Sequence, residues 1–189
     1  MGRVVYLMNM SLDGFVEAPG HDLSWGVGDD EVLAWFVEQT RAAGAFVYGR
    51  GLYETMGSYW PTALDNPPPT EAGREFARLW NAMPKVVCSS TLETVSWNSR
   101  LVRGDIVDEI GAIRDGVEGD IHVGGPTLAA ALVRRNLIDE YRMVVHPVAI
   151  GTGTPYLPTL DAPLRLRPSR SWAFASSGVR AYAYEPVLE

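Results

Sequence analysis

Three apolar runs end in small or polar residues: Tyr48-Gly49-Arg50, Cys88-Ser89-Ser90 and Val123-Gly124-Gly125. These residue types hold phosphate. Glycine lets an anion come close to the main chain, and the free amides of a helix start point at it. Ligands of an open α/β sheet gather at the carboxyl ends of strands, which is where these runs stop. Together they outline a site for a phosphorylated dinucleotide. Arg50 can pair an anionic group bidentately, as a 2′-phosphate rewards, and the hydroxyls of Ser89 and Ser90 can add hydrogen bonds. Each piece also has an ordinary reading. Gly-Gly is a common strand-to-helix turn, and a lone arginine is commonly a surface cation. Gly124-Gly125-Pro126-Thr127-Leu128 does not match the six-residue glycine fingerprint of Rossmann domains.

Other chemistries find less support. His21, His122 and His146 are scattered, and Cys88 is the only cysteine, so no metal-ligand spacing is present. His146 lies inside an apolar run and reads as a core or edge histidine. The nucleophile elbow, the Gly-Lys-Ser/Thr phosphate loop and the paired cysteines of a zinc deaminase are all missing from the sequence. Asp22, Asp29, Asp30 and Glu31 form an acidic cluster that can contain a proton donor, or can serve as solvated charge at a helix start.

The elements that position these residues follow from pattern. Arg3–Met10 reads as a strand and Asp13-Gly14 as a turn. A helix is expected from Asp30 to about Ala43, capped by Asp29 or Asp30 and ended by Gly44. Ala45–Tyr48 is a buried strand that runs into a short helix through Met56. Residues 57–70 read as a loop, with Pro67–Pro69 and an exposed Trp60 as candidate interface material. Glu71–Asn81, Asp105–Asp115 and Thr127–Arg135 are helical. Lys85–Ser89, Asp120–Val123 and Ile138–Val148 are strands. Leu164–Ser171 and Val179–Pro186 form a closing antiparallel pair that turns at Ser177-Gly178. Strands alternating with helices, then a β pair, give a single α/β domain over residues 1–189.

Composition bounds the partners. The chain has 189 residues, is 47% hydrophobic and carries a formal charge of −7, which argues against nucleic acid as the main partner. One anionic small molecule remains compatible, because local cations and amides can hold it. No apolar run reaches the ~18–20 residues of a membrane span, and the stretch after Arg3 is too short for a signal peptide. A cytoplasmic setting fits a lone thiol.

Taken in order, the motifs resemble a known family. Ser11-Leu12-Asp13-Gly14, Phe46-Val47-Tyr48-Gly49-Arg50-Gly51-Leu52-Tyr53-Glu54, Val86-Val87-Cys88-Ser89-Ser90, Ile121-His122-Val123-Gly124-Gly125 and His146-Pro147-Val148-Ala149-Ile150-Gly151-Thr152-Gly153 are similar to segments of the riboflavin biosynthesis reductase (RibD C-terminal) domain and the wider dihydrofolate reductase-like superfamily. The resemblance implies a mixed, mainly parallel central sheet of about eight strands flanked by helices, with an antiparallel C-terminal edge. It implies NADPH across the strand ends. Gly49, Arg50 and Gly51 would meet phosphates and adenosine, Ser89 and Ser90 the 2′-phosphate, and Gly124, Gly125, Thr127 and Leu128 the pyrophosphate. Asn9 and Ser11 would lie near nicotinamide and substrate.

Two departures from the family pattern stand out. Leu52 occupies a position that is often threonine. Val32 occupies the place of the pterin-facing carboxylate, with Asp30 and Glu31 just before it, and one residue turns a helical side chain by about 100°. The implied reaction is hydride transfer to a small heterocyclic or sugar-like substrate, such as 5-amino-6-(5-phosphoribosylamino)uracil. Asp13 and Asp30 are the candidate catalytic acids, Asn9 and Ser11 their hydrogen-bonding partners, and Trp25 a candidate pocket wall. Asp13 can equally do no more than make its turn. A pterin reductase and a non-catalytic nucleotide-binding module are the alternatives. The family also implies a homodimer.

Overall fold

The computed structural model describes residues 2–187. In chain order the elements are β1 (Val4–Ser11), β2 (Phe15–Glu17), α1 (Asp30–Ala42), β3 (Ala43–Gly49), α2 (Arg50–Gly57), a 3-10 turn (Thr62–Leu64), α3 (Glu71–Ala82), β4 (Lys85–Cys88), β5 (Ser99–Val102), α4 (Ile106–Gly116), β6 (Asp120–Gly124), α5 (Pro126–Arg134), β7 (Glu140–His146), β8 (Thr154–Pro155), β9 (Leu166–Ala173) and β10 (Arg180–Pro186). Eight strands form one sheet in the order β5-β4-β3-β6-β1-β7-β10-β9. From β5 to β7 all neighbours are parallel, and β10 and β9 close the edge antiparallel. This is the mainly parallel sheet with an antiparallel C-terminal edge read from the sequence. None of the described helices is long and apolar enough to cross a membrane.

A sheet covered on both faces needs apolar residues at consecutive strand positions. In β3, Val47 packs with Ile106, Ile110 and Leu132 from α4 and α5. Its neighbours Phe46 and Tyr48 face the opposite way and pack with Val37, Phe76 and Trp80 from α1 and α3. Tyr6 and Tyr156 stack at 4.2 Å and exchange phenol-to-carbonyl hydrogen bonds, which pins the chain around β8 beneath β1. The amino ends of β1, β6 and β7 are held by charge. Fully buried Glu140 accepts from Arg3 at 2.6 Å, from Arg170 at 3.3 Å and from the adjacent Arg142, while Arg3 also donates to Asp120 at 2.9 Å.

Several boundaries differ from the sequence reading. Gly44 does not end the first helix. α1 stops at Ala42, and Gly44 is a strand residue whose absent Cβ would lie 2.1 Å from the Glu118 carbonyl oxygen. β5 and the β2–β8 ribbon fall in segments for which the sequence pattern indicates no strand; they are short, and their hydrogen bonds come from distant partners. β7 is shorter than Ile138–Val148, and the closing pair begins two residues later than expected at Leu166. Trp60 is not an exposed interface residue, since its ring packs on Phe76 at 4.5 Å; Tyr59, 50% exposed, takes the outward place.

Candidate active site

Because β3, β4, β6, β1 and β7 are parallel neighbours, their carboxyl ends share one edge. That edge holds Gly49, Ser89, Gly124, Asn9 and His146. Between it and α1 lies a cavity of about 760 Å³, walled by Leu33, Phe36, Phe46, Met56, Trp60 and Phe76. Polar groups enter at Asn9, Trp25, Asp29, Asp30, Thr40, Thr55, His122 and His146. The sequence-predicted Asn9, Trp25 and Asp30 therefore reach this cavity, as does Gly124.

The mouth is organised by His146, which reads from the sequence as a core or edge histidine. Its Nδ1 accepts the Val27 amide at 3.0 Å, so its proton lies on Nε2, which donates to Asn9 Oδ1 at 3.0 Å. Burial lowers its pKa and keeps the ring neutral. Trp25 stands edge-on to it at 5.5 Å, and the Trp25 indole donates to the Asp22 carbonyl at 3.1 Å. The glycine-rich segment before α1 is thus folded over the end of β1. At the cavity floor His122, 4% exposed, stacks on Phe46 at 6.0 Å. Its Nε2 has no hydrogen-bond partner, and burial pushes its pKa down to about 3.

Ser11 and Asp13 are not brought into the cavity lining. Buried Ser11 donates to Asp13 at 2.6 Å and accepts the Phe15 amide. Asp13 also accepts the amides of Ile150 and Gly151 at 3.2 and 2.7 Å. The Ser11 hydroxyl and these amides hold its carboxyl below the usual range. A carboxylate so committed is a clamp between two turns and a poor proton donor. Asp29 caps α1, and hydrogen bonds from Ser177 and Ser176 keep it ionised. Asp30, exposed in the first turn of α1, is the acid left facing the cavity without such a cap role.

The phosphate-type motifs also converge. α1, α3 and α4 each start on a capping side chain, whereas α2 and α5 start on Gly49 and Gly125 with none. Gly125 adopts φ +99, where side chains are strained, and a Cβ on it would lie 3.6 Å from the Gly49 amide. Two uncapped helix starts therefore sit side by side. A Cβ at Gly124 would lie 2.3 Å from Leu52 Cδ2, so the leucine packs where a threonine would offer a hydroxyl. Arg50 lies flat, bonded to Glu54 at 2.9 Å and to Thr91 at 2.9 Å. Ser89 accepts the amides of Thr91 and Leu92, so Thr91, rather than Ser90, completes the polar cluster with Arg50. Thr91, His122 and His146 were missed by sequence reasoning; the parallel register, which sets His146 beside Ser11 and Phe46 beside His122, is the signal that locates the two histidines. Among the described residues, no group of three or more His, Cys, Asp or Glu can hold a metal.

Comparisons agree with this architecture. The model of the RibD C-terminal domain matches residues 3–179. "Uncharacterized protein YyaP" of Bacillus subtilis (strain 168) is 27% identical over 183 residues, covering 96% of this chain and 94% of that protein. A putative riboflavin biosynthesis protein from Shewanella sp. PV-4 superimposes with TM-score 0.77 at 22% identity over 100% of both chains. Dihydrofolate reductase from Enterococcus faecalis, solved with NADP(H) and RAB-propyl, gives TM-score 0.66 at 17% identity, covering 98% of this chain and 96% of the other. A diaminohydroxyphosphoribosylaminopyrimidine deaminase/5-amino-6-(5-phosphoribosylamino)uracil reductase from Thermotoga maritima gives 0.67 at 14% identity, over 98% of this chain and 57% of that one.

Proposed function

The chain belongs to the RibD C-terminal domain family, and from that premise we propose that it is a cytoplasmic, NADPH-dependent reductase of a small heterocyclic or sugar-like molecule. The observation that carries this reading is the pair of uncapped helix starts, α2 and α5, meeting at Gly49 and Gly125 beside the cavity. Amides there fit a pyrophosphate. Gly51, Thr127 and Leu128 would add main-chain donors. Arg50, with Ser89, Ser90 and Thr91 near it, would pair a 2′-phosphate once it exchanges Glu54 for the ligand. The cofactor, when bound, supplies the hydride. Asn9 orients the substrate through the amide N–H groups left after its oxygen has accepted from His146. Asp30 is the proton donor of this scheme, and Ser11 with Asp13 positions the end of β1. The family points to 5-amino-6-(5-phosphoribosylamino)uracil or a related compound as substrate. A pterin reductase is less well supported, because beyond Asp30 the cavity-facing residues of α1 are Val32, Leu33, Phe36 and Thr40, none of them acidic.

Tryptophan quenching tests the cofactor directly, since Trp25 and Trp60 line the cavity. NADPH is expected to bind much more tightly than NADH, and Arg50→Ala to remove roughly 1.5–3 kcal/mol of that preference. If neither nucleotide binds, the reductase reading falls. The family also makes a homodimer the expected assembly, which light scattering in solution checks.

A further inference from the structure

The cavity under α1 has a polar floor inside an apolar wall. His122 comes from the middle of β6, and Thr40, 2% exposed, from the last turn of α1. Phe36, Phe46 and Phe76 surround them with aromatic surface. A buried ring nitrogen without a partner costs stability, and His122, which lines the cavity, carries one at Nε2. Charge points the same way. Among the described residues no lysine or arginine lines the cavity, and Asp29 and Asp30 bring carboxylates to its mouth. An anionic group placed inside would lose its water and gain no cation.

We propose that this cavity takes an uncharged, flat ring compound bearing one neutral polar group, such as a ring carbonyl, and that His122 with Thr40 reads that group at the floor. The inference rests on the reading of the cavity as the reductase's substrate site and narrows it: a phosphorylated chain on the substrate has to remain outside. His122 serves as a neutral hydrogen-bond partner, because burial keeps a proton off its second nitrogen through the physiological range. Shape agrees, since aromatic walls favour stacking on a planar ring.

The test uses the whole protein without nucleotide, and two probes that differ in charge: menadione and a sulfonated naphthoquinone. The chain has 3 histidines, so isotope-labelled imidazole nitrogens can be assigned with His122→Leu. Menadione is expected to shift the His122 signals and to bind at least roughly tenfold more tightly than the sulfonate, the cost of an unpaired buried charge. His122→Leu is expected to weaken menadione binding by roughly threefold to tenfold, one neutral hydrogen bond, while leaving the melting temperature unchanged or higher. Thr40→Val, which keeps the side-chain volume, should weaken it in the same direction. Equal or tighter binding of the sulfonate, an unmoved His122 signal, or unchanged menadione affinity in His122→Leu overturns the proposal. If menadione behaves as expected and NADPH fails to bind, the reductase reading falls and the site stands. If NADPH binds and the probes fail, only this inference falls.

Discussion

Asp13 and Asp30 look alike in the sequence and differ in what surrounds them. Asp13 accepts hydrogen bonds from Ser11, Ile150 and Gly151, which favour its ionised form. Asp30 makes no such commitment and faces the cavity. Asp13→Asn should therefore lower the melting temperature and loosen the Ile150-Gly151 turn, while kcat of the folded protein stays near that of the wild type. Asp30→Asn should depress kcat at nearly constant stability; kcat and melting curves measured together on the two variants separate the roles. His146 makes the same point about partners. Its contacts Val27 and Asn9 lie 119 and 137 positions away, so residue type alone hid its role. His146→Phe keeps a ring against Trp25 but loses both hydrogen bonds. Hydrogen exchange at the Val27 amide should then speed up by about tenfold, the worth of one such bond. The glycines, Arg50 and the serines could be singled out because residue type and strand-end position are read directly from the sequence, and the structure places them at the carboxyl ends of β3, β4 and β6. The histidines could not, because their chemistry is set by register.

At the scale of elements, strands buried on both faces announced themselves as apolar runs, and β1, β3, β4, β6 and β7 were legible for that reason. β5 was not. Ser99-Arg100-Leu101-Val102 is a strand because it pairs with the edge of β4, and its alternation spans only four residues. Two glycines fix how elements approach one another, and they differ in kind. At Gly44 the obstacle to a side chain is the Glu118 carbonyl, which belongs to the main chain. Gly44→Ala must move β3 away from that segment and should cost about 3 kcal/mol, read from urea unfolding. At Gly124 the obstacle is the far end of Leu52, a side chain that can be trimmed. Gly124→Ala should cost roughly 1–3 kcal/mol through overpacking. Adding Leu52→Ala should recover a substantial part of it, a coupling that a double-mutant cycle measures. Additive losses would mean that Leu52 does not set the contact between α2 and β6.

Across the whole molecule the sheet separates two jobs. Its amino-terminal edge is tied by the Arg3, Asp120, Glu140 and Arg142 network, and its carboxyl edge carries Asn9, His146 and the uncapped starts of α2 and α5. The ordered motifs made the sheet and its antiparallel edge legible, whereas the cavity floor exists only once α1 closes over β6. That closure has a consequence for stability. The His122 imidazole has its pKa pushed to about 3 by burial, and His146 is shifted in the same direction. Below the ordinary histidine pKa of about 6.5, the unfolded chain takes up protons that the folded chain refuses. Their contribution is fully present above that value and is lost as pH falls. Each such histidine adds a slope of up to ~1.4 kcal/mol per pH unit. His21, raised by its hydrogen bond to Glu17, acts in the opposite sense at the surface. Between about pH 6.5 and pH 5 most carboxylates stay ionised in both states, so histidines dominate this interval. Urea midpoints measured across it should fall with pH in the wild type. In His122→Leu the fall should be shallower by up to one proton's worth. An unchanged slope would mean that His122 takes up its proton in the folded state, and that the floor of the cavity is wetter and more polar than its packing implies.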